Sequence, residues 1–154
     1  MADNFLEKRQ EAYRIQISGR VQRKAGADIQ QLLLKCAANV QYNGSYVVRD
    51  DQLKGLVAAA ALVGDSDSFS FSVSVGDEAE NFLNDLSCEM PAAACVTIQS
   101  NEGDAPTVFV RLGMMLQAMM LRAAEIGLHA HIVECGVCDG RASAVLAVGR
   151  PDCK

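Results

Sequence analysis

Both histidines of this chain and two of its six cysteines fall within one short stretch, as His129, His131, Cys135 and Cys138. Imidazole and thiolate suit zinc, so the cluster offers four side chains of the right ligand chemistry. On a strand His129 and His131 share a face, and a turn at Gly136 could carry the thiolates round, although such tight spacing works against a tetrahedron. Cys135-x-x-Cys138 could instead form a redox dithiol. A reactive pair normally sits at a helix N-terminus that lowers a thiol pKa, and nothing here signals such a helix. Incidental thiols are the plainer reading, and no metal ligand is assigned.

Arg9 presents the fixed fork of donors that suits an anion, yet a lone Arg on a basic amphipathic helix is usually solvated. Its neighbours Lys8, Arg14, Arg20, Arg23 and Lys24 interleave with Glu7, Glu11 and Asp28. That mixture reads as a solvated helical face.

The elements that would position these groups follow from periodicity. Asp3 or Asn4 can cap a first helix that runs to Gly19, and Ile29, Leu32, Leu33, Cys36 and Ala37 mark a second that ends by Asn39 or Gly44. Tyr46–Val48 reads as a short strand, followed by a helix capped by Asp50 or Asp51 and extending to Leu62. Phe69, Phe71, Val73 and Val75 alternate with serines, the period of a strand with one buried face. Asp77–Leu86 reads as a short acidic helix, Ala92–Gln99 as a strand and Ser100–Pro106 as an exposed loop. From Val108 to Gly127, Leu112, Met115, Leu116, Met119, Ala123 and Ile126 keep helical spacing, with Gly127 placed as the left-handed residue after the last turn. Apolar residues surround much of this helix, which suits a core or a dimer interface. His131–Glu134 and Ser143–Val148 are the closing β-prone runs.

Composition bounds the function. The 154 residues fit one domain, 1–154, and half are apolar with 5% aromatic and no Trp, so the core rests on aliphatic residues and Met. A net charge of -5 argues against a nucleic-acid partner, which normally meets a basic face. The opening MADNFLEKRQ carries no apolar signal segment, so a reducing cytoplasmic setting is expected. The longest apolar candidate, 55–64, is too short for a bilayer, so no membrane association is expected. Cys36, Cys88 and Cys95 lie among apolar neighbours and read as small core residues.

Four landmarks occur in one order: Phe5-Leu6-Glu7-Lys8-Arg9, Asn39-Val40-Gln41, Ala123-Ala124-Glu125-Ile126-Gly127-Leu128 and Val148-Gly149-Arg150-Pro151. In this order the chain resembles the nitroreductase family, most continuously from about Pro91 to Pro151. The resemblance implies an α+β fold, a nitroreductase-like sandwich with a small central sheet flanked by helices, assembled as an intertwined homodimer. It implies FMN as cofactor, NADH or NADPH as electron donor, and a small-molecule acceptor such as a nitro compound or quinone. By the same carry-over Arg9 would meet the flavin phosphate or ribityl chain. Asn39 and Gln41 would lie near the isoalloxazine, where an amide matches both donors and acceptors of the ring edge. Gly127, Leu128 and His129 would offer backbone groups beside it. A flavin performs the electron transfer itself, so no catalytic triad is required.

The chain departs from the family pattern in two places. Its basic motif keeps only Arg9 of the family's Arg-x-Ser-x-Arg, with Glu11 inside it, and the stretch between about 60 and 91 is short. These departures motivate a second reading, a flavin-less relative that binds a ligand or metal through His129, His131, Cys135 and Cys138.

Overall fold

The computed structural model describes residues 30–36, 41–86 and 92–152. Arg9, Asn39, Cys88, Cys153 and the first helix expected from the sequence lie outside the described residues. Residues 30–36 are helical (α1), within the second helix read from the sequence. Lys35–Lys154 forms the compact unit treated below.

Its order is α2 (Asp50–Val63), a single 3-10 turn (Ser66–Ser68), β1 (Phe69–Val75), α3 (Asp77–Asp85), β2 (Ala94–Ser100), α4 (Pro106–Glu125), β3 (His129–Cys138) and β4 (Arg141–Gly149). The four strands form one sheet in the order β1-β2-β4-β3, with every neighbouring pair antiparallel. This is the α+β architecture expected from the sequence. The chain leaves β2, crosses the sheet as α4 and returns as β3 two places away. β4 then folds back by a hairpin into the gap.

Because β4 is central, both of its faces are covered, and Ala142 and Ala144–Val148 are all buried. Ala142, Ala144, Leu146 and Val148 join the core formed with α2 and α4, while Val145 and Ala147 face a smaller core with Tyr42, Ala79, Leu83 and Cys95. A strand buried on both sides reads as a continuous apolar run rather than an alternating one. On β1 the alternation does appear, yet only Phe69 is fully buried, and Val73 and Val75 stand exposed at the open edge.

α4 starts with Pro106 in its first turn, where the missing N–H costs nothing. Leu112, Met115, Met119 and Ala123 are completely buried against the sheet. By length and composition α4 is apolar enough to cross a membrane, with a window of mean hydropathy 1.2. Among the described residues it, and not 55–64, is therefore the longest apolar segment, and its buried face packs in the core. Its end is a Schellman motif: Gly127, at φ 77°, donates to Ala124 O at 3.3 Å and Leu128 to Ala123 O at 2.8 Å.

Three local readings differ from the sequence expectation. Tyr46–Val48 forms no strand; it leads out of a turn in which Tyr46 N–H donates to Asn43 O at 3.1 Å. The final hairpin is longer than expected, because Asp139 and Gly140 both adopt positive φ, 52° and 71°. That is the type I′ turn whose twist matches paired strands. Gln52 caps α2 by accepting from Arg49 N–H at 3.0 Å, rather than Asp50 or Asp51 doing so.

The loop before α4 is tied down by Glu102. Its carboxylate accepts from Ser68 Oγ at 2.6 Å and pairs with Arg111, whose guanidinium also stands 5.8 Å over the Phe69 ring. The Ser68 hydrogen bond, then the Arg111 contact, hold the Glu102 carboxyl below its usual range. A depressed folded pKa stabilises above the unfolded value of about 4.3, and that contribution disappears as pH falls through the folded value. In urea titrations Glu102→Gln should therefore be less stable than wild type at pH 7, and the gap should close on acidification below about pH 4.

Candidate functional site

The four sequence-assigned residues that fall within the described part of the chain lie at one end of the sheet. Gly127 and Leu128 link α4 to β3, and His129 opens β3 opposite Gly149, the last residue of β4. The segment at 41–46 runs past the same end. Asp152 N–H donates to Gln41 O at 2.8 Å, Asn43 N–H donates to Arg150 O at 2.9 Å, and Tyr42 bridges to Pro151. The chain just after β4 thus holds the Gln41 segment by its backbone.

Gln41 is exposed, so its amide is open to a ligand. Gly127 is exposed too, and a Cβ built there would meet nothing within 4 Å, so space remains beside this backbone. Leu128 is 3% exposed and its side chain belongs to the core under α4. What Leu128 can present is backbone, and its N–H is already spent on Ala123 O. His129 is 6% exposed and turns toward Tyr42, whose hydroxyl lies 3.1 Å from Nδ1 and 3.5 Å from Ala147 O. The two rings lie 5.8 Å apart and tilted by 53°.

Sequence reasoning missed Tyr42 and Gly149. Tyr42 is the residue directly after Gln41, and its ring packs so closely on Gly149 that a Cβ there would come within 2.6 Å of Cδ1. A glycine inside a strand signals such a close approach. Among the described residues Arg150 brings a positive charge to this end, exposed and 5.4 Å over the Tyr46 ring, with the Asp152 carboxylate two residues on. Tyr46 in turn donates its hydroxyl to Gln52 Oε1 at 3.1 Å.

The zinc reading fails on geometry. Among the described residues no group of three or more His, Cys, Asp and Glu side chains could hold a metal ion. His129 to Cys138 is one extended strand, which spans roughly 30 Å. His131 pairs with Ala147 and Cys138 with Arg141, but the pairing shifts between Ile132 and Glu134, so Cys135 falls opposite Ala144 on the α4 face. The irregularity therefore takes Cys135 off the face that carries the two histidines, and the three-residue spacing of Cys135 and Cys138 sets the two cysteines on opposite faces of the strand. Both are exposed free thiols, and the bend expected at Gly136 is a strand position. Cys95 is buried and burial pushes its thiol pKa up, as expected of a core cysteine, whereas Cys36 is only half-buried.

No protein-family model matches the sequence, and no curated protein is similar to it by sequence. Solved structures match in fold. A nitroreductase-like family protein from Bacillus cereus superposes with a TM-score of 0.64 at 13% identity, over 80% of this chain and 86% of that one. An FMN-dependent nitroreductase from Clostridium difficile gives a TM-score of 0.63 at 16% identity, over 79% and 87%. A third, an oxidoreductase containing FMN, gives 0.62 at 16%, over 79% and 76%. The chain has the nitroreductase-like α+β fold that its landmarks suggested.

The contact between Tyr42 and Gly149 generates a stability test. Gly149→Ala forces its methyl against the Tyr42 ring and should cost about 1–3 kcal/mol in urea unfolding, with a matching change in the near-ultraviolet circular dichroism of Tyr42.

Proposed function

We propose that this chain is a divergent nitroreductase-family flavoprotein, which binds FMN and passes electrons from NADH or NADPH to small electrophilic acceptors such as nitro compounds or quinones. The observation that carries the reading is the sheet end itself. There the αL turn at Gly127 and the exposed Gln41 amide lie together in a nitroreductase-like fold. The named flavoproteins among its structural neighbours support it.

The described donor set fits a flavin. An amide at Gln41 matches the alternating donors and acceptors of the ring edge, the open space at Gly127 leaves room beside the backbone, and Arg150 supplies positive charge. Arg9 and Asn39 are assigned the phosphate side and the ring edge by their motifs. When bound, the flavin supplies the hydride and electron transfer. The chain's own part is to hold the ring, hydrogen-bond its polar edge and exclude water on one face.

The same reading takes the active unit as a homodimer. Val110 and Met114 on the outer side of α4 are 64% and 52% exposed, and Leu62 at the end of α2 is 87% exposed. Val110 and Met114, with Val63, Ala118 and Leu121, line an open, mostly apolar depression of about 530 Å³. Apolar surface of this extent on a helix is a usual mark of an interface. A second copy of the chain covers it in this proposal, and the setting is cytoplasmic.

Titrating purified protein with FMN should give a stoichiometric flavin spectrum that NADH or NADPH bleaches; absence of binding at tens of micromolar FMN overturns the proposal. Arg9→Ala and Asn39→Ala should each weaken binding, Arg9→Ala by roughly ten- to a hundredfold as expected for a charge-assisted hydrogen bond. Light scattering should give a mass near twice 16.5 kDa, and Met114→Lys should shift it toward the monomer.

A further inference from the structure

We infer that Tyr42 and His129 form a buried positioning pair that sets the place of the Gln41 amide, so that His129 acts on the site through Tyr42 and not by touching the cofactor with its ring. The ligand half of this inference rests on the flavin reading; the positioning half stands on geometry alone. Gln41 and Tyr42 are adjacent and share an extended backbone, so their side chains project to opposite sides. Tyr42 is 6% exposed while Gln41 is exposed. The Tyr42 ring is seated on Gly149, and its hydroxyl reaches His129 Nδ1 at 3.1 Å with Ala147 O at 3.5 Å. These contacts tie the segment to β3 and β4 at once.

The backbone bonds from Asp152 to Gln41 and from Asn43 to Arg150 secure this segment only to the chain that follows β4. The Tyr42–His129 contact is the described side-chain link between the segment and β3, the strand that begins directly after Gly127 and Leu128. It fixes the distance between the two parts of the proposed flavin edge. Tyr42 supplies an aromatic body for the small core it shares with Leu83 and Val145, and a polar tip for the histidine.

The test uses the full chain and four variants. Tyr42→Phe keeps the ring on Gly149 and removes only the hydroxyl. His129→Leu removes the other partner, and His129→Asn keeps a polar atom near the position of Nδ1. Ile98→Val, in the opposite core, serves as a control for general loosening. Hydrogen exchange without ligand should show faster exchange at the Asn43 and Asp152 amides in Tyr42→Phe and His129→Leu, and wild-type rates there in Ile98→Val and His129→Asn. FMN affinity should fall roughly fivefold in Tyr42→Phe, the effect of one net hydrogen bond. The double variant Tyr42→Phe/His129→Leu should be little worse than either single one.

Unchanged exchange at both amides in Tyr42→Phe overturns the positioning pair whether or not flavin binds. Faster exchange with unchanged FMN affinity overturns its role in the site. If wild type takes up no FMN, the flavin reading fails and the exchange result alone decides the positioning claim. An equal loss of affinity in Ile98→Val reduces the effect to general stability and overturns the inference.

Discussion

The two hydrogen bonds that end α4, Gly127 N–H to Ala124 O and Leu128 N–H to Ala123 O, demand a left-handed residue at position 127. An L side chain there would cost about 1–2 kcal/mol. Because the turn is made, Leu128 goes under the helix into the main core and the next residue already pairs in the sheet. The exit of α4 therefore determines where β3 starts. With β2 and β3 parallel and two places apart, β4 is left the slot between them, and its last residue meets His129. The sheet end that carries the proposed site is a consequence of that one helix stop.

Burial on the two sides of the sheet is unequal, and this inequality shapes the site. The α4 face holds the larger core, packed with Leu112, Met115, Met119, Leu146 and Ile98 at no exposure. Among the described residues the other face is covered by α3, through Ala79 and Leu83, with Ala92 and the ring of Tyr42. A segment without regular structure has thereby become part of a core. Loops that carry binding groups are commonly held by a rigid scaffold, and here the Tyr42 ring joins the loop to the sheet beside the backbone bonds at Gln41 and Asn43.

Much of this was legible in the residues. The Phe/Ser/Val/Ser alternation sets β1 with its observed ends, and the leucine and methionine spacing of α4 with Gly127 after it sets both the helix and its stop. Tyr46–Val48 misled because β propensity measures fit to a pleated, half-buried surface, and this segment emerges from a turn at Asn43 with Val47 exposed. The outer part of β3, residues 135–138, was missed because Gly136 and the flanking cysteines lack an apolar pattern, although Asp139-Gly140 was available as a hairpin signal. The histidine and cysteine spacing pointed to a metal because sequence distance ignores register. One irregularity near Val133 turns Cys135 to the opposite face.

Register also separates the two histidines, which the sequence groups together. Both lie on the face of β3 that Ala147 shares, yet His129 is buried against Tyr42 while His131, one repeat further along the strand, is exposed. Among the described residues the 41–46 segment passes the end of the sheet and covers the first of the two positions. A histidine closed off from solvent with an aromatic hydroxyl on Nδ1 has its ring orientation fixed by that partner. The chemistry available to His129 therefore depends on a residue distant from it in the sequence, and the segment that covers it is the one bearing Gln41.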